Sequence, residues 1–200
     1  MKSSLNRIAI ALAIVAIIAI AALAGRHYWA MITDSPAGAA AIGGPFTLVD
    51  GDGRTVTDAD YRGHPLLVYF GYTYCPDVCP TSLTTIAEAL DLLGDKGKDI
   101  IVLFITVDPE RDRPAAMKEY AKAFHPQIVG LTGTVDQVAA AARAYRVYYA
   151  KVRNDPKDPE DYLMDHSAYT YLMGRDGKYQ AHFPHGISPQ DMAQQIAKFM

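Results

Sequence analysis

Apolar and polar positions divide the chain into a membrane-like start and a globular remainder. Ile8 to Ala24 is an unbroken apolar run without a charge. At helical rise it covers roughly 25 Å, slightly short of a hydrocarbon core of about 30 Å. Arg26, His27, Tyr28 and Trp29 follow it, and aromatic and cationic side chains suit a membrane interface. Ala22-Leu23-Ala24 resembles a signal-peptidase site, but the run is longer than a usual signal core, so an uncut N-terminal transmembrane helix is the expectation. Met31 to Gly44 is small and polar and reads as a tether.

Beyond the tether the periodicities alternate. Phe46-Thr47-Leu48-Val49 and Arg54-Thr55-Val56-Thr57 flank Asp50-Gly51-Asp52-Gly53, which predicts a β-hairpin. The two aspartates lack the remaining ligand positions of a calcium loop, so this is a turn. Leu66 to Phe70 reads as a buried strand. Leu83, Ile86, Ala87 and Leu90 then repeat at helical spacing, with Pro80 suited to the first helical position and Gly94 closing the helix. Ile100 to Val107 is nearly all apolar and β-branched, as in a strand covered on both faces. A helix opens at Pro114 and stops at Pro126, Ile128 to Leu131 is a short strand, and Thr134 with Gln137 forms a capping box for the next helix. Val147 to Val152 reads as extended, and Arg153 to Asp161 as an exposed charged loop. Ala168 to Met173 and Lys178 to Phe183 make a second hairpin, and Ser188-Pro189 starts the last helix. Hairpin, βαβαβα, hairpin and helix is the order of an α/β domain whose central sheet carries helices on both faces. The expected organisation is an anchor over 1–30, a tether over 31–44 and one domain over 45–200.

Composition adds the compartment. Lys2 and Arg7 precede the apolar run, a bias that keeps the N-terminus cytoplasmic and exports the rest. No Arg- and Ser-rich presequence is visible, so the simplest address is a bacterial inner membrane with the domain in the periplasm. A formal net charge of −3 gives no reason to expect nucleic acid.

The chain has two cysteines, and both lie in Phe70-Gly71-Tyr72-Thr73-Tyr74-Cys75-Pro76-Asp77-Val78-Cys79-Pro80, where a strand hands over to a helix N-terminus. Backbone N–H groups and the helix dipole there lower thiol pKa values toward thiolate. A structural disulfide would close too short a loop to contribute much stability. Thiol–disulfide exchange is a second reading, although C-x-x-x-C is one residue longer than C-x-x-C. A metal clip is the third. Residues four apart on a helical turn point to one side, soft sulfur selects Cu(I), and an added imidazole would also hold Cu(II). Zinc structural sites want four closed ligands, which the exported part does not offer. Spacing does not choose among His27, His64, His125, His166, His182 and His185. Met164 and Asp165, beside His166, are candidates for a soft ligand and for an acceptor to its ring.

Gly71 to Pro80, with Thr106-Val107-Asp108-Pro109-Glu110-Arg111-Asp112, Asp165-His166-Ser167, Tyr171-Leu172-Met173 and Asp176-Gly177, resembles the SCO/SenC family of copper chaperones. The resemblance runs from Phe46 to the C-terminus. It implies a thioredoxin-like fold, with a central mixed sheet flanked by helices. It implies copper on Cys75, Cys79 and His166. In the carrier expected here the reduced cysteines bind Cu(I), and His166 swings in on the loop before it to complete the site. The resemblance also implies delivery to the dinuclear copper site of cytochrome c oxidase subunit II. Other periplasmic copper carriers and a thiol reductant are the further partners expected, besides the membrane itself. The rival function is a thiol–disulfide oxidoreductase that reduces the target's cysteines without carrying metal.

Overall fold

The apolar runs become the strands of one mixed sheet. The computed structural model describes residues 42–153 and 161–200, with Asp158 and the isolated Ile20, Ala22 and Gly25. Among these no helix is long and apolar enough to cross a membrane. The run expected to be an anchor, Ile8 to Ala24, lies almost wholly outside the described residues, as do most of the tether and of the 153–161 loop.

β1 (Thr47–Asp50) and β2 (Thr55–Thr57) form the expected antiparallel hairpin. Asp50 closes its turn by accepting from the N–H groups of Asp52 and Arg54, both at 2.9 Å, which confirms a turn rather than an ion loop. β3 (Leu66–Gly71), β4 (Ile101–Thr106) and β5 (Ile128–Thr132) run parallel at the centre. β8 (Tyr169–Met173) pairs antiparallel with β3, and β9 (Tyr179–Pro184) with β8. The order across the sheet is β2-β1-β5-β4-β3-β8-β9. Every residue of β3 is buried, as a strand covered on both faces requires.

Among the described residues four α-helices flank the sheet: α1 (Val78–Leu93), α2 (Pro114–Phe124), α3 (Val135–Ala144) and α4 (Pro189–Ile196). Tyr69 of β3 stacks on Phe104 of β4, which stacks on Tyr120 of α2. On the other face Phe70 meets Tyr145, the residue that caps α3. The Thr134–Gln137 capping box is present as expected, and Ser188 caps α4 by accepting from the N–H of Asp191. The result is a thioredoxin-like α/β fold with a mixed sheet.

Two expectations are corrected. α1 begins at Val78, so Pro80 is its third residue and not its first. Proline is tolerated there because the opening N–H groups of a helix have no intrahelical acceptor. The segment before Ser167 is not loop. Tyr162–His166 is strand β7, paired antiparallel with β6 (Tyr149–Arg153) in a separate two-stranded ribbon. Its burial alternates, with Tyr162 and Met164 in and Leu163 and Asp165 out.

Candidate metal centre

The geometry of the centre follows from where β3 ends. Gly71 is its last residue, and its carbonyl accepts from the N–H of Val107 at 2.8 Å, which ties the ends of β3 and β4 together. A Cβ on Gly71 would lie 2.6 Å from the Cys79 sulfur and 2.9 Å from the Phe104 ring. The glycine is therefore the space the buried sulfur occupies. Gly71→Ala is expected to cost about 1–3 kcal/mol through forced repacking, read as a lower urea midpoint. An unchanged midpoint would show that the sulfur has room to move.

From Gly71 the chain turns through Tyr72 to Asp77 and enters α1. The N–H and hydroxyl of Thr73 both donate to the Asp112 carboxylate, at 3.1 and 2.5 Å, and the Thr106 hydroxyl donates to it at 2.6 Å. The cysteine loop is thus moored to the segment that follows β4. Cys75 lies partly exposed at the loop's tip and Cys79 is fully buried in the first turn of α1; both are free thiols. The N–H of Cys79, one of the unsatisfied donors at the start of the helix, points at the Cys75 sulfur across 3.4 Å.

The two sulfurs are not equivalent. The Cys75 thiol is pulled down to about 3, chiefly because the Cys79 thiol donates to it; His166 and the N–H groups of Asp77 and Cys79 add to the pull, against burial. Cys79 moves the other way, since donating to the Cys75 thiolate holds its proton and burial adds to that. The expectation of two activated sulfurs is corrected to one. Cys75 accepts from the Cys79 thiol and from N–H groups at the start of the helix, while Cys79 donates and is the more deeply buried of the two.

The third group arrives from far along the chain. His166, at the end of β7, places Nε2 3.4 Å from the Cys79 sulfur. Its Nδ1 lies 3.2 Å from the Ser167 carbonyl, which orients the ring with Nε2 toward the sulfurs. The rings of Tyr69 and Tyr72 stand edge-on to the imidazole, at 6.3 and 5.9 Å. One ligand atom from each of Cys75, Cys79 and His166 lies within 4.8 Å of the others. Two soft sulfurs and an imidazole nitrogen fit Cu(I), and the nitrogen extends the set to Cu(II).

The other candidates go elsewhere. His64 pairs with Asp99 at 2.6 Å, His125 accepts from the N–H of Gln127, His182 meets the Tyr179 hydroxyl, and His185 meets the Ser82 hydroxyl at 3.0 Å. His27 is outside the described residues. Met164 is packed in the core, and Asp165 lies exposed on the face of β7 opposite His166. His166 also needs no swing from a loop, because the ribbon already presents it. Nothing in the spacing of Thr73, Asp112, Arg111 or Tyr162 marks a role at the site. Tyr162-Leu163-Met164-Asp165 carries no apolar–polar alternation, since the exposed Leu163 is as apolar as its buried neighbours.

Comparison with known proteins agrees with this geometry. The SCO1/SenC family pattern matches residues 34–200. Protein SenC of Rhodobacter capsulatus is 46% identical over 161 residues, covering 80% of this chain and 72% of that one. Among solved structures, Arabidopsis thaliana ScoI with copper bound aligns at TM-score 0.74 and 40% identity, over 79% of this chain and 97% of that one. Bradyrhizobium japonicum ScoI with copper bound aligns at TM-score 0.72 and 46% identity, over 80% of this chain and all of that one.

Proposed function

Because the chain belongs to the SCO1/SenC family, we propose that it is a copper carrier that holds its cargo on Cys75, Cys79 and His166. The observation that carries this reading is the convergence of two sulfurs and an imidazole nitrogen within 4.8 Å, from positions 87 residues apart in sequence in the case of Cys79 and His166. Relatives of similar sequence have been solved with copper bound, which supports the choice of metal. The Cys75 thiolate takes the ion first, since it is partly exposed and needs no deprotonation at neutral pH. Cys79 then gives up its proton and His166 completes the set. Release is ligand exchange. Incoming thiolates replace Cys75 and Cys79, and a proton returns to Cys79. The dinuclear copper site of cytochrome c oxidase subunit II is the proposed recipient. Other periplasmic copper carriers are the proposed donors, and a thiol reductant keeps the pair reduced. In this reading residues 1–30 anchor the protein in the bacterial inner membrane, 31–44 tether it, and 45–200 work in the periplasm.

The test is a paired titration with Cu(I) and Cu(II) under anaerobic conditions, on the wild type and His166→Ala. The variant should lose Cu(II) affinity by at least about tenfold, as expected when a good ligand is removed, and Cu(I) affinity by less, because two sulfurs suffice for the softer ion. Equal affinities in the two proteins would remove His166 from the site.

One observation favours a second reading. A lowered Cys75 beside a raised Cys79 is the asymmetry of a thiol–disulfide exchange pair. In that chemistry the Cys75 thiolate attacks a target disulfide and releases one target thiolate. Cys79, losing its proton, then attacks the Cys75 sulfur and releases the other. The products are a reduced target and a Cys75–Cys79 disulfide that an external thiol must reduce. Rapid reduction of a target disulfide in a copper chelator, unaffected by His166→Ala, would favour this reading.

A further inference from the structure

Among the described residues, the ribbon that carries His166 pairs with no further strand. Two-stranded ribbons are marginal in water, so something must hold this one against the domain. One guanidinium touches both the ribbon and the cysteine loop. Arg111, in the loop after β4, lies with its Cζ 3.7 Å from the ring centre of Tyr162 at the start of β7, and 4.6 Å from that of Tyr74, the neighbour of Cys75. Its Nη1 donates to the Tyr162 carbonyl at 3.1 Å and its Nε to the buried Asp108 carboxylate at 2.5 Å. The other oxygen of that carboxylate accepts from the Tyr162 hydroxyl at 2.9 Å. From the second strand of the ribbon, Lys151 pairs with Glu110 at 2.6 Å and lies 4.4 Å from the Tyr162 ring centre.

We propose that Arg111, locked by Asp108, is the positioning residue that clamps the His166 ribbon to the cysteine loop. It touches neither the sulfurs nor the imidazole. It acts through Tyr162, which lies four residues, roughly 13 Å, back along β7 from His166. The clamp needs a planar fork with a stacking face. A guanidinium packed against the rings of both Tyr162 and Tyr74 fixes the ribbon against the loop, and its carbonyl and carboxylate bonds fix the ribbon's register along the loop. A lysine keeps the charge opposite Asp108 but supplies neither plane nor fork. This inference rests on the copper-carrier reading only for the identity of the cargo. The placement of the ribbon is a property of the metal-free protein.

The test uses the full-length protein as wild type, Arg111→Lys, Tyr162→Phe and His166→Ala, with two readouts. The first is amide hydrogen exchange of the metal-free protein. Arg111→Lys should speed exchange at 149–153 and 162–166 at least tenfold while leaving β3 and β4 unchanged. Tyr162→Phe should speed it less, because it removes one hydrogen bond and leaves the stack. The second is the nitrogen hyperfine signal of bound Cu(II). In Arg111→Lys it should weaken toward that of His166→Ala, although both cysteines remain. Faster exchange everywhere with a wild-type Cu(II) signal would make Arg111 a general stabiliser and overturn the clamp, and so would no change in either readout. Should Arg111→Lys fail to fold, Tyr162→Phe decides by the same criteria. If wild type and His166→Ala give the same Cu(II) signal, the copper reading fails at His166, and the exchange data still decide the clamp.

Discussion

Serine at both Cys75 and Cys79 is expected to abolish Cu(I) binding at unit stoichiometry. Hydroxyl oxygen is a hard, protonated donor, and Cu(I) prefers soft ones. The imidazole of His166 alone is left, which offers one bond. The single variants should differ. Cys75→Ser removes the sulfur that is already ionised, and the site loses its entry point. Cys79→Ser keeps that entry point but puts a hydroxyl in a fully buried place shaped by Gly71 and Phe104. The asymmetry also fixes the proton balance. With Cys75 held at about 3 and Cys79 raised, one thiolate and one thiol face the ion at pH 7. Cu(I) binding should therefore release about one proton, and affinity should fall by about tenfold for each pH unit of acidification below neutrality, until Cys75 itself protonates. Release of two protons would mean that both thiols start protonated. Stoichiometric Cu(I) on the double serine variant would end the assignment.

Much of this site is written in the chain, but unevenly. The two cysteines were legible because a continuous apolar strand and a helical pattern bracket them, and these patterns depend on local periodicity alone. Their inequality was not. It arises because Cys79 faces Gly71 and Phe104 while Cys75 faces solvent, a consequence of strand pairing that no spacing encodes. The resemblance to a family named His166, whereas residue spacing left six histidines open. What brings it to the sulfurs is β7, a short half-exposed strand beside a charged, proline-bearing loop. Tyr162-Leu163-Met164 is apolar throughout although Leu163 is exposed, so no period-two pattern stands against those loop signals. α1 starts two residues before Pro80, since proline is as comfortable at the third helical position as at the first. Asp112 and Arg111 were visible only as letters in a motif, because their partners lie in segments far away in sequence.

Asp112→Ala should be the most damaging change outside the ligands. The carboxylate is fully buried and accepts from the Thr73 N–H, the Thr73 hydroxyl and the Thr106 hydroxyl, while its own carbonyl accepts from the Thr132 hydroxyl at 2.8 Å. Removing the side chain strands three donors, one of them a backbone N–H. The cost should be about 3 kcal/mol, the upper end for an unsatisfied buried group. It should also free the cysteine loop, so that Cys75 drifts from the N–H of Cys79 and the midpoint pH of its alkylation rises toward that of an ordinary thiol. Asp112→Asn separates charge from shape. Burial holds the Asp112 carboxyl above its usual range against the pull of its donors. Its folded value thus exceeds its unfolded one, and the stability it contributes is complete below the unfolded value and lost as pH rises through the folded one. Asparagine cannot titrate, so the urea-unfolding gap between wild type and Asp112→Asn should widen as pH falls from about 7 to about 4, near the value of an ordinary carboxyl. At neutral pH asparagine should cost less than alanine, because it keeps an acceptor for Thr73. Equal losses in the two variants would mean that the mooring of the cysteine loop does not depend on these hydrogen bonds.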